Sequence, residues 1–293
     1  MNKKKRQNVQ RKVWNWYRAN AHPLPWRETS NPYHIFVSEI MLQQTQISRV
    51  LQKYPLFLKK FPDVPSLAKA PFRTVLQTWH GMGYNRRALY LKQAAERICK
   101  NHGGTIPKQE EQLHALPGVG AYTASAIMCF AYGTCHPFIE TNIRRAIIHE
   151  CFPRKQDITD KEILQMLRHI QPPRPRKLGE ARPKGAADSD IRREWYYALM
   201  DYGRDALKHV PNPNRKSKQY TKQSRFEGST RYMRAKIISY LLTNKKATEE
   251  ELFLSLKADQ HLADISYEDT ARALAGLTKE HLVKPSRTFF RIP

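Results

Sequence analysis

The sequence predicts an all-α protein, and three observations carry that prediction. Apolar residues recur at helical spacing in every periodic stretch, glycine pairs and prolines punctuate those stretches, and strand-like text is confined to the C-terminal RTFFRIP. The 293 residues are enough for two domains with a sizeable core.

Taken in order, Val13, Trp14 and Tyr17 mark a first helix from about Asn8 to Asn20, closed by the turn HPLPWRETSNP. HIFVSEIMLQQTQISRVLQKYPLFLKKF then sets Ile35, Phe36, Ile40, Met41, Val50 and Leu51 on two helices. Their break is expected near Tyr54-Pro55, because proline removes a backbone donor. VPSLAKA offers Ser66 as a cap. PFRTVLQTWHGMGYNRRALYLKQAAERICKNHGG reads as a helix, a Gly-Met-Gly turn and a second helix ended by Gly103-Gly104. EEQLHAL leads into LPGVGAYTASAIMCFAYGTCHPFIETNIRR: a tight turn, an apolar helix, and Glu140 just before another helix start. IRRAIIHECF and ITDKEILQMLRHI follow, the latter opened by Thr159.

From Gln171 to Asp190 periodicity is lost in favour of Pro, Arg, Lys and Gly, which predicts a mobile basic loop inside a domain of residues 1–210. REWYYALMDYGRDAL resumes the helical pattern, and residues 211–229 read as a basic linker or wrap. Residues 230–293 give three helical segments and the short strand, the order of a winged helix. A small helical cap with no DNA-reading role fits the same text.

The formal net charge of +25 and a pI near 10 argue against an ordinary enzyme of small neutral substrates and imply a polyanionic partner. No stretch approaches the apolar length of a membrane span, and the basic MNKKKRQ leads into polar text rather than a signal peptide. A cytoplasmic, nucleoid-associated protein is expected. Cys99, Cys129, Cys135 and Cys151 form no C-x-x-C pair, so reduced thiols are expected rather than a zinc site or disulfides.

Two features bear on chemistry. Gly118 and Gly120, after Pro117, form either a plain helix–helix turn or a cradle in which helix-start N–H groups receive a phosphate. Glu39, with Gln43, Gln44 and Thr45, interrupts an apolar helix. It lies either on a solvated face or buried beside Phe36 and Ile40, where desolvation would keep it protonated and able to donate. Glu140 by itself reads as a carboxylate favouring a helix dipole. Together the two carboxylates suit glycosidic cleavage, in which one acid protonates the leaving group and one carboxylate stabilises an oxocarbenium-like centre. On a basic chain the leaving group is a nucleic-acid base, which must first leave the stack. Gln43, Met82 and Tyr84 are of a type to fill the gap.

LPWRETSNPYHIFVSEIMLQQTQ, GMGYNRRALYLKQAA, LPGVGAYTASAIM and PFIETNIRR together resemble the helix-hairpin-helix glycosylases, and among them the MutY-type adenine DNA glycosylases, over roughly Trp14 to Gly203. The resemblance implies a two-lobed all-helical fold with DNA between the lobes, completed here by the small winged-helix-like C-terminal domain. It makes Leu116, Gly118, Val119 and Gly120 a phosphate-binding hairpin, with a monovalent cation on the carbonyls of Leu116 and Val119. Glu39 matches the general acid, and Glu140 the position of the family's transition-state-stabilising Asp. Trp26 and Arg27 match the segment near the extruded base, and Gln43, Met82 and Tyr84 match positions that enter the stack. Gln44, Thr45 and Asn142 complete the DNA-binding set. Tyr122 stands in the active site where bifunctional relatives such as endonuclease III carry a Schiff-base Lys, so no β-lyase activity is expected.

The chain departs from the family in three ways. Glu140 is one methylene longer than Asp. No Cys lies between Asp201 and Ser224, so the family's iron–sulfur cluster is not expected, and NPNRKSKQYTKQSRF is expected to grip phosphate in its stead. The Nudix-related reader of 8-oxoguanine is replaced by a shorter helical C-terminus. The expected activity is a monofunctional DNA glycosylase removing adenine opposite guanine or 8-oxoguanine. It would act as a monomer on duplex DNA carrying a mismatch or damaged base, without a cofactor. The alternatives are a glycosylase for thymine, uracil or hypoxanthine, and a non-catalytic binder of distorted DNA.

Overall fold

The computed structural model describes residues 2–172, 191–222 and 225–293, so the expected basic loop lies, from residue 173 onward, outside the described residues. α1 (Lys3–Asn20) starts at Asn2, whose side chain accepts the Lys5 N–H. α2 (Pro32–Leu42) begins on a proline, where the missing N–H would be unused anyway. α3 (Ile47–Lys60) corrects one expectation: it runs straight through Pro55, and the break falls earlier, where Gln44 takes a φ of 52°. The Pro55 ring lies on the exposed face, so the Leu51 carbonyl that loses its partner can turn to water.

α4 (Val64–Lys69) is opened by a capping box in which Asp63 is the cap and Ser66 the reciprocal partner. α5 (Phe72–Trp79) and α6 (Arg86–His102) flank the Gly-Met-Gly turn, and α6 ends on Gly103 in the left-handed region. α7 (Glu110–His114), α8 (Ala121–Tyr132) and α9 (Thr141–Cys151) surround the second glycine turn. α10 (Asp160–Ile170) has a capping box from Thr159 and Glu162. α11 (Ile191–Asp201) runs into a π-helical turn (Tyr202–Ala206), and a 3-10 turn (Pro213–Lys216) follows. The C-terminal elements are α12 (Thr230–Asn244), β1 (Lys246–Ala247), α13 (Glu249–Lys257), α14 (Tyr267–Lys279), β2 (Lys284–Ser286) and β3 (Phe289–Arg291). The strands form one antiparallel sheet in the order β1-β3-β2, with Lys246 opposite Arg291 and Pro285 opposite Phe290. This is the winged-helix order. Among the described residues, no helix is long and apolar enough to cross a membrane.

The chain divides into two compact units, and α2 belongs partly to each. The first comprises Met1–Ile35, Lys108–His114 and Val119–Lys222. Its core gathers Val9 and Val13 of α1, Phe130 of α8, Ile147 of α9, Leu167 of α10 and Trp195 and Tyr196 of α11. Phe130 stacks on Tyr197 and Phe138 on Tyr196, with centroids 4.5 and 4.2 Å apart. Cys129 and Cys135 are joined as a disulfide, correcting the expectation of four reduced thiols. Gly133 ends α8 and reverses the chain, which returns Cys135 to the last helical turn with a Cα–Cα distance of 4.1 Å. Cys99 and Cys151 are free.

The second unit comprises Phe36–Pro107, Ala115–Gly118 and Gln223–Pro293. Phe57, Leu76, Trp79 and Leu91 are buried in its core. The C-terminal segment was expected as a domain of its own from Thr230, yet it packs here as part of this unit. The Arg73 guanidinium donates to the carbonyls of Leu241 and Leu242 at 3.1 and 2.6 Å, satisfying the orphan end of α12. His80 meets Ser239 at 3.2 Å. Residues 211–222, expected as a linker, belong instead to the first unit, where Ile158 and Lys216–Lys218 share a parallel bridge.

Candidate active site

Glu39 and Glu140 belong to different units, Glu39 within α2 and Glu140 at the N-cap of α9. In the second unit Glu39 lies inside α2, flanked by Phe36 and Ile40, and is only 5 % exposed. The buried alternative is therefore the one realised. Four residues on, Gln43 leaves the helix and its Nε2 donates to the Gly118 carbonyl at 3.2 Å, which brings the loop after α2 to the glycine hairpin. Gly118 has a φ of +76°, and a Cβ there would meet the Tyr90 Cβ at 2.8 Å, so both conformation and space require glycine. Leu116 is buried beneath the same turn.

Arg87, which sequence reasoning missed, organises this region. It is 8 % exposed. Its guanidinium donates to the carbonyls of Ile40 and Met41 at 2.8 Å each, to Thr45 Oγ1 at 2.8 Å and to the Gly83 carbonyl at 3.2 Å. The C-terminal carbonyls of α2 are thus capped by a cation, as the helix dipole favours. Burial lowers the Arg87 pKa to about 10, which leaves it charged at neutral pH. Thr45 and the Met82 backbone are drawn into the same network, with Thr45 Oγ1 3.4 Å from the Met82 carbonyl.

The Met82 side chain is buried at 1 % exposure, while Tyr84 is half-buried with a φ of +47°. Arg87 and Arg231 both lie over the Tyr84 ring, 5.4 and 5.9 Å from its centroid, and Arg231 Nη1 donates to its hydroxyl at 2.8 Å. Gln44 is exposed at the left-handed corner of the loop.

In the first unit Val119 is buried, and Gly120 is the N-cap of α8 with no side-chain capping bond. Tyr122, on the first turn of α8, is half-buried with its ring edge-on to Phe138 at 5.8 Å. Trp26 is buried, and Arg27 makes a bidentate pair with the fully buried Asp201 at 2.6 and 2.8 Å. The Arg27 guanidinium also lies 4.5 Å from the centroid of the Tyr197 ring. Its charge is therefore already partnered within the protein.

Glu140 is the N-cap of α9. Its Oε2 accepts the N–H groups of Asn142 at 2.7 Å and Ile143 at 3.4 Å, and its Oε1 accepts Asn142 Nδ2 at 3.1 Å. Part of the residue reaches solvent, but enclosure of the carboxyl pushes its pKa up. The donated N–H bonds of the helix start oppose that rise without cancelling it.

Chemically, Glu39 is a buried carboxyl group, a side chain of the type that can carry and give up a proton. Glu140 is a carboxylate aimed by backbone donors, suited to stabilising positive charge. Asp201, Arg87 and Arg231 gave no local signal: their partners are remote in sequence, and no motif marks them.

Residues 37–181 match the family described as HhH-GPD superfamily base excision DNA repair protein. The adenine DNA glycosylase of Mycobacterium tuberculosis is 43% identical over 133 residues, which cover 45% of this chain and 44% of that protein. That of Mycolicibacterium smegmatis is 35% identical over 159 residues, 54% of each. The human adenine DNA glycosylase is 36% identical over 141 residues, 45% of this chain and 26% of that protein. The chain thus spans about half the length, or less, of the relatives it matches. Among solved structures, a thermostable thymine-DNA glycosylase aligns with a TM-score of 0.58 at 24% identity, covering 71% of this chain and 91% of that one. A non-covalent endonuclease III–DNA complex aligns at 0.56 and 17% identity, covering 72% and 90%. At these identities the structural likeness shows a shared fold, and the family match is confined to residues 37–181.

Proposed function

We propose, starting from a chain whose residues 37–181 match the HhH-GPD family and resemble adenine DNA glycosylases, that this protein excises adenine from duplex DNA where it is mispaired with guanine or 8-oxoguanine. The observation that carries the reading is Glu39: a carboxyl side chain buried in an apolar helix, whose following loop is tied through Gln43 to the hairpin glycine. Burying a carboxyl is costly, and a protonated one near a base nitrogen is what departure of a neutral purine requires.

On this reading Glu39 protonates the leaving adenine. Glu140 stabilises the positive charge that develops on the sugar, its oxygens held by the N–H groups of Asn142 and Ile143. Backbone N–H groups at the uncapped start of α8 receive a phosphate. Tyr122 offers no amine, so hydrolysis ends with the abasic sugar and no β-elimination follows. The net charge of +25 supports duplex DNA as partner, bound by a monomer in the cytoplasm. No iron–sulfur cluster takes part, since Asp201–Ser224 supplies no thiolate.

A panel of duplexes tests the reading. Purified protein should release adenine from A:8-oxoG and A:G pairs and leave T:G, U:G and hypoxanthine:T intact. Release of another base but no adenine would overturn the substrate; release of nothing would overturn the activity.

A further inference from the structure

The position of the Glu140 carboxylate is set by the first turn of α9, because its hydrogen-bond donors are the N–H groups of Asn142 and Ile143 and the Asn142 amide. That turn is gripped from outside by two residues far along the chain. Gly203, in the π-helical turn, lies so close that a Cβ built on it would fall 2.0 Å from the Asn142 carbonyl oxygen and 2.7 Å from its carbon. Its φ is not in the left-handed region, so the close approach alone demands glycine. One residue earlier in α9, the Thr141 carbonyl accepts a hydrogen bond from Asn214 Nδ2 at 3.1 Å.

Asn214 is 5 % exposed, and its Oδ1 is buried with no hydrogen bond inside the protein. Stability alone favours an apolar side chain at such a place. The backbone carrying Asn214 is itself held: Asn212 Oδ1 accepts the Asn214 N–H at 3.1 Å, and Ser217 Oγ accepts from Arg144 at 3.0 Å. Arg145 donates to the Leu207 carbonyl. Residues 203–217 therefore press on consecutive peptide groups immediately after Glu140.

We infer that Gly203 and Asn214 are positioning residues for Glu140, clamping the start of α9 so that its carboxylate is presented in one place. This rests on the role proposed above for Glu140. It also gives the segment after α11 an inward task, in addition to the phosphate contacts expected of its basic side chains. A carboxylate one methylene longer than Asp has one more torsion to lose, and a fixed helix start removes that freedom from the reacting state.

The test compares full-length N214L, which keeps the branched shape with four heavy atoms and removes the donor, with G203A and a core control, L167A, which loosens the same unit away from Glu140. Single-turnover adenine release from an A:8-oxoG duplex is measured beside the Kd for a duplex carrying an uncleavable 2′-fluoro-adenosine at the same site. N214L and G203A should lower the release rate at least tenfold with Kd within twofold, while L167A, at a temperature where it is folded, releases at the wild-type rate. Wild-type rates in both variants overturn the inference, as does a loss of DNA affinity that accounts for the loss of rate. If N214L or G203A does not fold, N214S replaces it and is judged by the same split. Failure of the wild-type protein to release any base strikes instead at the proposed function, so the two failures are distinguishable.

Discussion

The two carboxylates are held by opposite means. In the second unit Glu39 sits in the interior of α2, where the backbone N–H groups are already used within the helix, and the cation Arg87 closes the carbonyl end of that helix. In the first unit Glu140 stands at the N–H end of α9, and spare backbone donors reach its oxygens directly. Spare donors at a helix start reach Glu140, whereas Glu39 is enclosed along the length of its helix. The difference teaches that the same side-chain type can be given the role of acid or of charge stabiliser by its place along a helix.

The largest effect expected from breaking this pair is at Glu39. E39Q removes the proposed proton donor and should lower base release by about 10² to 10⁴-fold, the usual worth of a positioned general acid, with DNA affinity nearly unchanged in a Kd measurement. Unchanged turnover would take the acid role from Glu39. Next comes R87M, which leaves the carbonyls of Ile40 and Met41 buried without their donor. A loss of about 3 kcal/mol in urea unfolding is expected, because removing one partner strands the other. A loss below about 1 kcal/mol would mean that water replaces the guanidinium.

The smallest effect is expected for E140D, since Asp is also a good N-cap and keeps the carboxylate. Its release rate should change by about tenfold in single-turnover assays, a displacement of a fraction of an ångström being enough. Because enclosure raises the Glu140 pKa, the wild-type carboxylate is lost as pH falls through a value above the ordinary Glu value of about 4.3. The acid limb of the rate profile should therefore lie above that value and move in E140D. A limb unaffected by the substitution would assign it to another group.

What the sequence made legible was local. The helices, the order of a winged helix, the Thr159 cap and the carboxylate before α9 all follow from periodicity and from residues within a turn of one another. Pro55 misled because the rule about proline says that a donor is missing, whereas solvent on that face makes the loss tolerable. The disulfide escaped because no motif marks its spacing; it depends on the reversal at Gly133. Arg87, Asp201, Gly203 and Asn214 escaped for a different reason. Their partners are Ile40, Arg27, Asn142 and Thr141, all remote in sequence, and single-chain patterning carries no information about such pairings. Burial of Glu39 was open to two readings, since an amphipathic helix has two faces and its text does not say which faces a core.

The second unit is discontinuous: residues 36–107 share it with residues 223–293, joined by contacts such as Arg73 with Leu242 and Arg231 with Tyr84. A chain made from its N-terminus therefore produces the helix bearing Glu39 long before the partners that complete its unit. While translation proceeds, α3 to α6 must wait with part of their apolar surface uncovered, a state that invites aggregation and engagement by chaperones. A stop codon anywhere in residues 223–293 would then damage the scaffold that carries Glu39 rather than trim a dispensable appendage.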